Sequence, residues 1–176
     1  MGKFLSLILI LSGLLAGGAM YYLQVYGYYK EVALQPGRDV MLVPLGEEVS
    51  QPIRYSDFEA IDAGSSPIRY RACFRTDLKP EALAQLFTLS EQQDPRNAPG
   101  WFDCFDAVAI GSALAEGRAQ SFLSAKNISY GVDRIVAVTD DGRGYVWHEL
   151  NNCGKKAYDG TVVGEECPPP PSRDDS

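Results

Sequence analysis

The sequence predicts an α+β protein: an N-terminal transmembrane helix, then one compact periplasmic domain with an antiparallel sheet and two or three helices. Three observations carry this expectation. Phe4 to Tyr26 contains no charged side chain. The downstream chain contains period-2 apolar runs separated by turn residues, broken by two helical stripes. All four cysteines (Cys73, Cys104, Cys153 and Cys167) lie after the apolar stretch, as an oxidised domain would place them.

The apolar stretch is long enough. As a helix it spans about 34 Å, against a hydrocarbon core of about 30 Å. Lys3 precedes it, and Gly17-Gly18-Ala19 would suit a signal-peptide cleavage site. A retained anchor fits better, because apolar residues run on past Ala19 through Met20-Tyr21-Tyr22-Leu23-Gln24-Val25-Tyr26. Tyr21, Tyr22, Tyr26, Tyr28 and Tyr29 resemble an interfacial aromatic belt. Lys3 and the terminal amine orient the helix with its N-terminus in the cytoplasm, giving a single-pass inner-membrane protein with a periplasmic domain. Gly13 and Gly17, four apart, offer a small-residue face for a helix contact inside the membrane. The expected boundaries are 1–29 for the anchor, 30–167 for the domain and 168–176 for a disordered, Pro-rich acidic tail.

Within the domain, Val40 to Val43 reads as a short strand after an extended lead-in. Pro52-Ile53-Arg54-Tyr55 recurs as Pro67-Ile68-Arg69-Tyr70, which would suit neighbouring strands. From Ile68 to Arg75 the alternation puts Ile68, Tyr70, Ala72 and Phe74 on one face and Arg69, Arg71, Cys73 and Arg75 on the other. A helix begins near Pro80 with Leu83, Leu86 and Phe87 as its stripe. A loop spans 94–100. A second helix is expected from Asp103, burying Val108, Ala109, Ile110, Leu114 and Ala115, with Gly117 at its end. Residues 119–128 suit either strand or helix. Val132 to Thr139, turn residues 140–144 and Tyr145 to Leu150 form the clearest hairpin.

Chemistry is mostly missing. A net charge of −7 and a pI near 4.7 exclude a phosphate-neutralising nucleic-acid binder. His148 is the sole histidine and lies in a strand pattern, where a buried, hydrogen-bonded role suits it better than catalysis. No C-x-x-C, nucleophile elbow or phosphate loop occurs, so no catalytic residue, metal or cofactor is expected. The acidic pairs Glu47-Glu48, Asp140-Asp141 and Glu165-Glu166 sit in loop contexts. Four cysteines allow three pairings. Cys73–Cys104 and Cys153–Cys167 are favoured, the second as a staple for a segment with no apolar pattern. Arg69, Arg71 and Arg75 form a row suited to an anionic partner: a lipid headgroup, a peptide carboxylate or an acidic loop.

The MGK start before the apolar span, the Met20-to-Tyr26 segment, Ala109-Ile110-Gly111, and Asp141-Gly142-Arg143-Gly144-Tyr145 followed by Trp147-His148 resemble an uncharacterised alphaproteobacterial family of membrane-anchored proteins, a domain of unknown function. The resemblance runs over nearly the whole chain and implies no active residue. Some members carry a histidine-kinase label, which this sequence does not support. It has no phosphoacceptor helix around His148 and no glycine-rich ATP boxes. The expected function is a membrane-anchored accessory or interaction module that meets the bilayer and another envelope or membrane protein. The alternatives are a hydrolase-type envelope enzyme and a small-anion sensor.

Overall fold

An apolar run flanked by few charges folds here as one long helix that stands out from the domain and meets it only at its end. The computed structural model describes residues 2–165. Helix α1, Gly2–Tyr22, buries no residue, and it runs into a π-helical turn, Leu23–Gly27. Only Tyr28 and Tyr29 separate that turn from the first strand, β1 (Lys30–Glu31).

The remaining elements follow in chain order: β2 (Met41–Leu42), β3 (Gln51–Pro52), β4 (Ser56–Asp62), β5 (Arg71–Arg75), α2 (Pro80–Ala84), α3 (Ala107–Ala115), β6 (Ala119–Ser129), β7 (Val132–Thr139) and β8 (Arg143–Leu150). Six strands make an antiparallel sheet in the order β1-β4-β5-β8-β7-β6, and β2 pairs with β3 apart from it. The coarse α+β expectation thus holds. The central strands are buried on both faces, and of them β7 carries an unbroken apolar run, Ile135 to Val138. One face meets α3 and the 94–106 loop: Ile61, Cys73, Ile135 and Trp147 pack with Phe102, Phe105, Ile110 and Leu114. The other face carries Ala72, Phe74, Val136 and Val146 against Val40, Leu42, Ile53 and Leu83.

Several local expectations are corrected. The two Pro-Ile-Arg-Tyr segments are not neighbours: Pro52 pairs in the small sheet, and β5 lies between β4 and β8. Strand β5 begins at Arg71, not Ile68, because residues 66–70 turn, with Arg69 N donating to Ser66 O at 3.3 Å. Helix α3 begins at Ala107. Asp106 is its N-cap and accepts from Val108 N and Ala109 N, both at 3.0 Å. The later start rotates the buried stripe to Ala107, Ile110, Ala113 and Leu114, and leaves Val108, Ala109 and Ala115 exposed. Helix α2 ends before Leu86, which is exposed. Residues 119–128 resolve as strand β6.

The hairpin forms where the turn chemistry places it. Gly142 takes φ +80°, which an L side chain rarely adopts. Gly144 faces Phe74 across the strands, and a Cβ there would fall 2.0 Å from the buried ring's Cζ. The ring uses the glycine as its floor. Cys73 and Cys104 are joined, with Cα atoms 6.2 Å apart, across 31 residues of chain. No described cysteine is free. The Cys153–Cys167 pairing, Glu166 and the tail lie outside the described residues.

Two tests follow from this packing. Gly144→Ala should lower stability by about 1–3 kcal/mol in urea melts, since the ring has nowhere to go. Adding Phe74→Leu should recover part of that loss. Removal of the Cys73–Cys104 bridge in a Cys73→Ala, Cys104→Ala double variant, checked by thermal melting, should cost roughly 3–4 kcal/mol on the loop-entropy account.

Candidate functional site

The described residues converge where α1 meets the domain. In the π-helical turn, Tyr28 N reaches back five residues to Leu23 O at 3.0 Å, and Tyr29 N bonds Tyr26 O at 3.3 Å. The widened turn leaves the Val25 carbonyl available, and Trp101 Nε1 donates to it at 2.7 Å. The rings then interlock. Tyr22 stacks on Tyr26 at 5.9 Å, Tyr26 on Trp101 at 6.4 Å, and Tyr29 meets Trp101 edge-on at 6.0 Å. Part of the expected aromatic belt therefore holds the domain against the helix end. Trp101 can do this because its loop is pinned on both sides. Phe102 N bonds Pro99 O at 2.9 Å, Phe102 and Phe105 are buried, and Cys104 is tied to β5.

The arginine row does not survive as a row. Arg71 is 3% exposed, and its guanidinium donates to four carbonyls: Arg96 O at 2.8 Å, Ile68 O at 2.9 Å, Tyr70 O at 2.6 Å and Asn97 O at 3.1 Å. It also lies over the Phe105 ring at 5.7 Å. Burial pulls its pKa down to about 10, so it keeps its proton at neutral pH. All four of its hydrogen bonds go to carbonyl dipoles, and the carboxylates of Glu149 and Asp62 act on it without forming an ion pair. Arg69 lies off the strand, with its guanidinium 5.7 Å over the Tyr29 ring. Arg75 is exposed at the other end of β5, beside Asp57 at 3.9 Å. The sequence pattern failed here because β5 is shorter than the alternation and because the 94–106 loop covers the face expected to be open.

A further cation joins the first two. Arg96 grips Glu149 with Nε at 2.9 and 3.1 Å, and that bond raises the Arg96 pKa. Arg69, Arg71 and Arg96 line a cleft of about 650 Å³, closed on the helix side by Tyr21, Gln24 and Tyr29. Sequence reasoning missed Trp101 and Arg96. The available cue was an aromatic pair, Trp101-Phe102, set directly after Pro99-Gly100, where a surface loop has no local use for two large rings. Gly13 and Gly17 lie on the exposed surface of α1, with open space at both Cβ positions.

His148 is buried and engaged, as the strand pattern indicated. Its Nδ1 lies 2.7 Å from Pro67 O, and Arg134 Nε donates to its Nε2 at 3.0 Å. This places the ring proton on Nδ1. The ring stacks on Tyr70 at 4.7 Å, and burial pushes the His148 pKa down to about 4. The imidazole is thus neutral and enclosed, without access to a substrate. Among the described residues, no group of three His, Cys, Asp or Glu side chains could hold a metal.

A family model matches residues 40–168, well over half of the chain. The chain belongs to DUF6446, a family of unknown function. The DUF6446 match includes Arg69, Arg71, Arg96 and Trp101 but not the helix end against which they sit. No curated protein and no solved structure matches the chain.

The buried imidazole sets a pH dependence. Its folded pKa lies below the unfolded value near 6.5, so only the unfolded chain takes up the proton between pH 6.5 and 4. Stability should fall as pH drops through that window, by up to on the order of 3 kcal/mol. Chemical melts of wild type and His148→Gln across the range check this, and the variant's curve should be flatter.

Proposed function

We propose that the protein is a single-pass, membrane-anchored interaction module, with its N-terminus cytoplasmic and its domain periplasmic. The observation that carries the reading is the wholly exposed apolar helix α1, which continues unbroken past Ala19 into a turn clasped by Trp101. A helix with this much uncovered apolar surface is disfavoured in water and stable in a bilayer. The Cys73–Cys104 bridge supports an oxidising compartment for the domain. Leu45 and Leu86, joined by a 2.9 Å backbone bond and both more than half exposed, offer apolar area to a protein partner.

Carbonate washing of membranes from cells making the full chain tests the anchor, followed by intact-mass measurement and in-membrane crosslinking. The chain should stay in the pellet at its uncleaved mass and crosslink into a larger species. A mature chain beginning at Met20, or recovery solely as an uncrosslinked monomer, would sink the reading.

A further inference from the structure

We propose that the cleft between the helix end and the domain binds the phosphodiester of an anionic membrane phospholipid, one whose headgroup carries no compensating cation, with the Arg69 guanidinium as its main contact. The proposal rests on the membrane-anchored reading and adds a ligand to it. Three observations support it independently of one another.

The first is place. One wall of the cleft is built from Tyr21 and Gln24, in the last turns of the helix, and from Tyr29 just beyond it. A helix that starts at Gly2 and has run about 30 Å by Tyr22 brings those residues to the depth of the lipid headgroups. The cleft therefore opens where phosphates are concentrated.

The second is charge. No Asp or Glu lines the cleft, although the chain as a whole is net acidic. Arg96 is neutralised by Glu149, but Arg71 is held by carbonyls alone. Arg69 makes no ion pair among the described residues and leans on the Tyr29 face. Two positive charges thus face one open cleft with no ion pair to either, and Glu149 and Asp62 act on Arg71 only from outside the lining. Low-dielectric walls on the bilayer side strengthen their attraction for an anion.

The third is shape. Arg71 is fixed by its carbonyls and sets a lasting positive potential at the back. Arg69 is partly exposed and keeps its planar fork available to two phosphate oxygens at once. A cleft of about 650 Å³ is within the size range that takes small polar ligands. A free phosphate ion offers the same oxygens, but it lacks the acyl chains that would run down the helix beside Tyr21. The lipid source is therefore favoured.

The test uses full-length protein in nanodiscs of phosphatidylcholine doped with phosphatidylglycerol, released into native mass spectrometry. Wild type should carry bound phosphatidylglycerol. Arg69→Gln should lose it by at least about fivefold, and Arg69→Lys should fall between, since a lysine cannot form the paired contact. Arg75→Gln removes the same charge at the far end of β5, roughly 13 Å along the strand, and should change nothing. An intact Cys73–Cys104 bridge and an unaltered thermal melt certify that the Arg69 variants fold. Equal lipid retention by wild type and Arg69→Gln overturns the site. So does equally tight binding of inorganic phosphate by detergent-solubilised wild type, and so does loss of a crosslinked protein partner from Arg69→Gln with its lipid intact. Failure of wild type to enter the discs overturns the anchored reading and this site with it.

Discussion

A guanidinium taken out of water must find its hydrogen bonds inside the protein, and the architecture depends on how Arg71 does so. Its donors reach two carbonyls in the turn before β5 and two in the 94–106 loop. One side chain thereby fixes the end of a central strand to the long loop that covers it. Removing either partner would strand a buried charge, a loss of several kcal/mol. The disulfide from Cys73, two residues further along β5, ties the same loop a second time. Trp101 lies between these two anchor points, and that is why a surface indole can hold its ring against the helix end.

The sheet supplies the frame for this arrangement. Strands β5, β8 and β7 are covered on both sides, so their register is set by burial rather than by the turns alone. Phe74 lying over Gly144 shows how closely the second face is filled. Tyr70, His148 and Arg134 form a stacked, hydrogen-bonded set nearby, with Arg134 4.5 Å over the Tyr70 ring. Burial raises the Tyr70 pKa to about 12 and lowers that of His148, so neither ring carries charge at neutral pH. Enclosed, hydrogen-bonded polar groups of this kind rigidify a core.

Features governed by short-range rules were legible in the sequence. The span of β7 from Val132 to Thr139 matches its apolar run, and the following turn matches its Asp-Asp-Gly chemistry. The Cys73–Cys104 pairing and the enclosed histidine were also readable. What escaped depends on distance along the chain. Trp101 meets Val25 across 76 residues, and no periodicity encodes that contact. Alternation placed Arg71 on the outward side of a strand but could not say that a loop would cover that side. Asp103 and Asp106 are both acceptable N-caps by type, and α3 uses Asp106, after Phe105 is buried and Cys104 is bridged.

The π-helical turn and the strand that follows it leave no slack between helix and sheet. Only two residues intervene, and one of them, Tyr29, is wedged between Trp101 and Arg69. Most tethered domains hang from a loose leash and tumble independently of their tether. Here the helix end is clasped to the domain, so a change in its tilt or rotation is passed on to the sheet, as a handle turns a blade. If that helix sits in a bilayer, as proposed above, its movements there reach the sheet directly.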